Sequence, residues 1–127
     1  MKLLGIDYGA KRVGIASTDE SGQFALPRMV LPNDEDLLKI VLQFINENNI
    51  EKVVIGESKN LDGTPNPILK DAVEFSKKLV NSGKEVDFHP EMYTSMEADR
   101  LQGYTHMRDA SAASLILKSY IDRQNSS

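Results

Sequence analysis

The chain has 127 residues, a formal charge of −4, no cysteine, and hydrophobic and charged fractions of 40% and 27%. That length suits a single domain, 1–127, with a core of its own, and the lack of cysteine excludes a disulfide framework or a thiolate metal site and fits a reducing compartment. The acidic balance excludes a generically basic nucleic-acid binder, so any phosphate contact must come from local cations.

The first apolar run, Lys2 to Asp7, reads as a buried strand. An acid interrupts it too early for a secretory signal, and no run nears the roughly 20 apolar residues that cross a bilayer; the expectation is a cytoplasmic protein with no membrane partner. Tyr8 to Arg12 reads as a turn, Val13 to Thr18 as a second strand, and Asp19 to Gly22 as another turn. Phe24 to Leu31 forms a third strand, with Pro27 marking an edge or a bulge. Asn33 or Asp34 is then placed to cap a helix with Leu37, Leu38, Ile40, Val41, Phe44 and Ile45 as apolar positions, closed at Asn48-Asn49.

Glu51 to Glu57 is a short buried strand. A helix between it and the opening meander makes a crossover, which implies parallel pairing with an earlier strand. Ser58 to Pro67 has loop composition. A helix follows from about Pro67 to Val80, with Ala72, Val73, Phe75, Leu79 and Val80 toward the core and Gly83 as its C-terminal cap. Glu85 to Phe88 reads as a last strand, Tyr93 to Leu101 as a helix, and the stretch from Asp109 through Tyr120 as the final helix, with 124–127 frayed. The pattern is an α/β chain whose mixed sheet carries helices on its faces.

The acids fall at the ends of these elements. Asp7 ends the first strand, Glu57 ends the strand after the crossover, Glu91 follows the last strand, and Asp109 opens the final helix. Each alone has a modest role open to it: a turn acid, a strand-end surface group or a helix cap. In a sheet with parallel first and fourth strands they converge on one edge, outside the carboxyl ends of the strands, where ligands bind in open α/β sheets. Clustered carboxylates need cations, and oxygen donors favour Mg²⁺ or Mn²⁺. Two such ions about 4 Å apart support phosphodiester hydrolysis with a metal-bound water as nucleophile. His89 and His106 are too few for the usual zinc site. Lys11, Arg12 and Arg108 are candidate phosphate contacts, with a solvated turn the equal alternative for the first two.

Gly5-Ile6-Asp7-Tyr8-Gly9-Ala10-Lys11-Arg12-Val13-Gly14-Ile15-Ala16 closely resembles the opening motif of the YqgF family, RNase H-like proteins described as Holliday junction resolvases and as nucleases of pre-16S rRNA processing. Asn60-Leu61-Asp62-Gly63-Thr64 resembles its Asn-Met-Asp-Gly-Thr loop. Glu91 with Tyr93-Thr94-Ser95-Met96-Glu97-Ala98 resembles its Asp-Glu-Arg segment and the helix start beyond, and Asp109 to Tyr120 resembles its last helix. The resemblance spans nearly the whole chain. It implies an RNase H-like fold with a five-stranded mixed sheet in the order 3-2-1-4-5, helices on both faces, and Asp7, Glu91 and Asp109 as metal-binding catalytic acids. Three departures stand out. Pro90-Glu91-Met92 replaces Asp-Glu-Arg. Gly56-Glu57-Ser58 replaces Gly-Leu-Pro and adds a carboxylate, making Glu57 a candidate fourth ligand. The usual basic stretch before the last acid shrinks to Gly103-Tyr104-Thr105-His106-Met107-Arg108.

The expected function is therefore metal-dependent endonucleolytic cleavage of structured RNA, in 5′-end processing of pre-16S rRNA. The alternatives are a resolvase acting on branched DNA, which calls for a two-fold dimer where an RNA nuclease can work as a monomer, so that monomer and homodimer both stay open, and a degenerate binding protein that has kept the fold and lost the chemistry. An actin-like or sugar-kinase-like ATPase shares the Gly-Ile-Asp-x-Gly opening but needs two such domains, more than 127 residues supply.

Overall fold

A computed structural model describes residues 1–57, 67–90 and 108–125. Three strands open the chain as an antiparallel meander: β1 (Leu3–Tyr8), β2 (Arg12–Thr18) and β3 (Ala25–Pro32). Helix α1 (Leu37–Glu47) crosses over to β4 (Lys52–Glu57), which pairs parallel with β1. Helix α2 (Pro67–Asn81) leads to β5 (Val86–Pro90), parallel to β4, and the last described helix, α3, spans Arg108–Asn125. The sheet order is β3-β2-β1-β4-β5, as expected. The Tyr93 to Leu101 helix lies outside the described residues.

Alternation along the strands sorts the core onto two faces. Leu4, Ile6, Val13, Ile15, Val53 and Ile55 pack against Leu37, Val41 and Ile45 of α1 and Ala72, Phe75 and Leu79 of α2. Leu3, Ala16 and Val54 pack on the other face against Ala113, Ile116, Leu117, Tyr120 and Ile121 of α3. Burial of each large aliphatic side chain stabilises the fold by roughly 1.5–3 kcal/mol, so both faces contribute.

Local signals explain most boundaries. Pro27 sits on edge strand β3, where the register slips: Ile15 pairs with Met29 and Ala16 with Pro27, leaving Arg28 as the extra residue of a bulge. Gly83 adopts φ +85° and ends α2 with the Gly83 N–H bonded to the Val80 carbonyl and the Lys84 N–H to the Leu79 carbonyl, the two bonds of a Schellman cap.

Four expectations need correction. The α1 cap residue is Asp36, not Asn33 or Asp34; Asp34 instead accepts the Asp36 N–H at 3.0 Å in a turn ahead of the helix. Val80 is 55% exposed rather than core, because it lies about 100° round the helix from Leu79. Strand β5 runs on through His89 to Pro90, with the proline at the strand's end, where its missing N–H costs least. Helix α3 continues through Asn125, so Gln124 and Asn125 are helical rather than frayed.

Candidate active site

Asp7 is the fifth residue of β1, half-buried, and paired across the sheet with Gly14 of β2. It shares a face with Leu3 and Gly5, the face covered by α3. That helix approaches β1 unusually closely. A Cβ on Gly5 would stand 2.5 Å from Leu117 Cγ and 2.9 Å from the Ala113 carbonyl oxygen, so only glycine lets the helix backbone lie this near the strand.

The direction of α3 follows from its other contacts. Its C-terminal half reaches the amino end of the sheet, where Tyr120 and Ile121 line a cavity of about 240 Å³ with Leu3 and Lys52. The helix therefore runs opposite to β1, and its first turn lies over the strand's carboxyl end. Asp109, the second residue of α3, precedes Ala113 by four positions, a rise of about 6 Å. Asp7 lies two positions beyond Gly5, about 6.6 Å along the strand. The two rises match, and the helix start, with its positive dipole end, stands over the strand end that carries Asp7.

Glu57 ends β4 and pairs with Pro90 of β5. It reaches the same edge as Asp7, but its alternation runs with Val53 and Ile55, on the α1–α2 face. The sheet thus brings Asp7 and the start of α3 together on one face and sets Glu57 at the neighbouring strand end on the other. Glu91 and the side chains of Arg108 and Asp109 lie outside the described residues. Among the described residues no three acids or imidazoles gather at metal-binding spacing.

The turn after Asp7 carries two exposed cations, Lys11 and Arg12. Asn33, just past β3, holds this turn from outside: its Nδ2 donates to the Gly9 carbonyl at 2.8 Å, its backbone N–H to the Lys11 carbonyl at 3.0 Å, and its Oδ1 accepts the Tyr8 hydroxyl at 3.5 Å. The Tyr8 ring rests on Phe75 with centroids 5.4 Å apart, so this tyrosine packs.

Two polar residues farther along α3, Ser119 and Tyr120, are engaged elsewhere. Tyr120 donates to Asp87 at 3.0 Å, and Lys52 lies 3.8 Å from both Asp87 and Glu85. The Tyr120 hydroxyl holds the Lys52 ammonium above its ordinary pKa, with Asp87 and Glu85 adding to the effect against desolvation. His89 is buried, hydrogen-bonded through Nε2 to Ser119 Oγ at 2.8 Å and set edge-on to Tyr120. Burial pushes its pKa below the ordinary value, assisted by Arg123. The described imidazole is thus buried and hydrogen-bonded, and among the described residues the acids at the carboxyl edge, Asp7 and Glu57, offer carboxylate oxygens, donors that suit Mg²⁺ or Mn²⁺.

Sequence reasoning missed Gly5 and Asn33. The signal for Gly5 was a glycine inside a strand; Asn33 had only its helix-capping tendency.

A family model described as "RuvX: Holliday junction resolvase" matches residues 1–123. A protein of Desulforudis audaxviator, named as a candidate pre-16S rRNA nuclease, is 35% identical across 99% of this chain and 97% of its own length. A Chlorobium phaeobacteroides protein of the same name is 32% identical across 95% and 92%. Among solved structures, RuvC of Thermus thermophilus superposes with a TM-score of 0.63 at 15% identity, covering 98% of this chain and 97% of its own. The fowlpox virus resolvase in complex with Holliday junction DNA gives 0.62 at 16% identity, covering 98% and 99%. These structures share the RNase H-like resolvase fold with the chain.

Proposed function

The chain belongs to the RuvX family, the family to which the YqgF-like motifs pointed, and on that premise we propose that it is a cytoplasmic metal-dependent endonuclease acting in 5′-end processing of pre-16S rRNA. The observation that carries the reading is the antiparallel course of α3 over Gly5, which sets the first turn of the helix against the strand end bearing Asp7. Asp7, Glu91 and Asp109 are assigned as the metal-binding acids. Glu57 joins from the neighbouring strand end as the peripheral fourth, because alternation puts it on the opposite face from Asp7. Bound there, one or two Mg²⁺ or Mn²⁺ ions would polarise the scissile phosphate and activate water.

The residues of the chain do the rest. The carboxylates fix the cations relative to the fold, and the helix start supplies a partial positive charge where the substrate phosphate would lie. Lys11, Arg12 and Arg108 are assigned to the nucleic-acid backbone, offsetting locally the net charge of −4. A second reading, cleavage of branched DNA, is favoured by the family's description and by the likeness to a resolvase complexed with junction DNA. The two separate in a competition assay with Mn²⁺ on a pre-16S-like RNA and a four-way DNA junction, run beside sedimentation of the free protein. Preferential RNA cleavage by a monomer supports the first. Paired symmetric cuts in the junction by a dimer replace it with the second. Metal-independent binding of either without cleavage would point to a degenerate binding protein.

A further inference from the structure

We propose that Asn33 is a positioning residue that clamps the 9–12 turn as a phosphate-binding arm beside Asp7. The inference rests on the assignment of Lys11 and Arg12 to the nucleic-acid backbone. A short turn bearing two long cationic side chains contacts phosphate well only if its backbone is already held, since ordering it on binding would cost affinity. Strand pairing fixes Tyr8 and Arg12 at the two ends of the turn, opposite Val13 and Pro32 respectively. Between them, Asn33 bonds to two backbone carbonyls, Gly9 at 2.8 Å and Lys11 at 3.0 Å. Gly9 permits the tightness: a Cβ there would lie 2.5 Å from the Arg12 carbonyl oxygen. The clamp is itself anchored, because Tyr8 reaches Asn33 Oδ1 while its ring packs on Phe75 of α2. Asn33 is only part-exposed and its amide faces the turn, whereas Lys11 and Arg12 project from the surface.

Asp34, Glu35 and Asp36 follow Asn33 directly and are exposed. A clamp that holds the basic turn in one conformation therefore also fixes how far its cations stand from these acids. Loosening the turn would let Lys11 pair with them at the expense of phosphate. Asn33 should act on substrate affinity through Lys11 and Arg12, with no effect of its own on metal binding.

The test is a double-mutant cycle on binding of a fluorescently labelled four-way DNA junction and a pre-16S-like RNA, without divalent metal, across a salt series. Asn33→Ala is expected to weaken binding by about three- to tenfold, and to reduce the salt dependence by a slope of up to about 1. In the Lys11→Ala/Arg12→Ala background it should add nothing. Asn33→Leu, which keeps much of the shape but loses the donor to Gly9 without adding a charge, should behave like Asn33→Ala and serves in its place if the alanine variant fails to fold. Equal losses in both backgrounds, or no loss in either, would overturn the clamp while leaving the phosphate arm standing. A Lys11→Ala/Arg12→Ala protein that binds as tightly as the parent would instead remove the arm, and the clamp with it.

Discussion

The two faces of the sheet are packed on different plans. On the α1–α2 face, large side chains meet large side chains: Leu4, Ile6, Ile15 and Ile55 against Leu37, Val41, Phe75 and Leu79. Such a layer is thick and can adjust by repacking when one member changes. On the α3 face the sheet offers Gly5 and Ala16, and the helix answers with Ala113 beside Leu117. Contact there is partly backbone on side chain, so the depth and register of α3 have little freedom. At its far end the helix is pinned again, by Tyr120 on Asp87 and by Ser119 on His89. Both faces stabilise the fold, and the α3 face, through its close approach at Gly5, also fixes where the first turn of α3 stands relative to Asp7.

The contrast can be broken at several points. The largest stability loss should come from the bulky face: Leu79→Ala, at a position with no exposure, should cost about 2–5 kcal/mol by chemical denaturation, with cleavage by the remaining folded protein little changed. Gly5→Ala should cost less stability, about 1–3 kcal/mol, yet remove most of the activity, because α3 must move off the strand. Comparable stability and activity losses for both variants would erase the distinction between the faces. Tyr120→Phe should cost about 1 kcal/mol for the hydrogen bond to Asp87. Glu57→Ala should lower cleavage by less than about tenfold, below the range usual for groups next to metal ligands, since its alternation runs with the α1–α2 face. A loss as deep as that of an Asp7 variant would move Glu57 into the centre of the site.

The Lys52 cluster gives a pH test. Its folded-state pKa is raised above the ordinary value of 10.5, so its contribution is fully present below that pH and fades as pH rises through the folded value. Lys52→Met should lower stability across the neutral range, where that contribution is in full force, and flatten its fall at the alkaline end.

Much of this was legible in the sequence where local chemistry and topology agreed. The meander, the crossover and the parallel β1–β4 pairing follow from strand runs and connection lengths, and the Pro27 bulge and Gly83 cap follow from backbone restrictions at single residues. The apolar pattern overreached at Val80, where helical phase carries a valine past the core, and the strand pattern stopped short at Phe88, where polar His89 and Pro90 continue β5. Asp7 was readable because it ends an apolar strand. The face on which Glu57 falls depends on register, and the depth of α3 depends on what meets Gly5 from more than a hundred residues away. Asn33 reads as a helix cap in the sequence and acts as a turn clamp in the fold, since its amide bonds backward to Gly9 rather than forward into α1.

The most direct test of the central claim is cleavage of labelled pre-16S-like RNA and a four-way DNA junction with Mg²⁺ or Mn²⁺, beside Asp7→Asn and with metal affinity measured on both proteins. The account predicts metal-dependent cutting of one substrate, lost by about a thousandfold or more in the variant, with metal affinity reduced and the fold intact. A parent protein that is folded, binds neither metal and cuts neither substrate, or an Asp7→Asn protein that cuts as well as the parent, would contradict it.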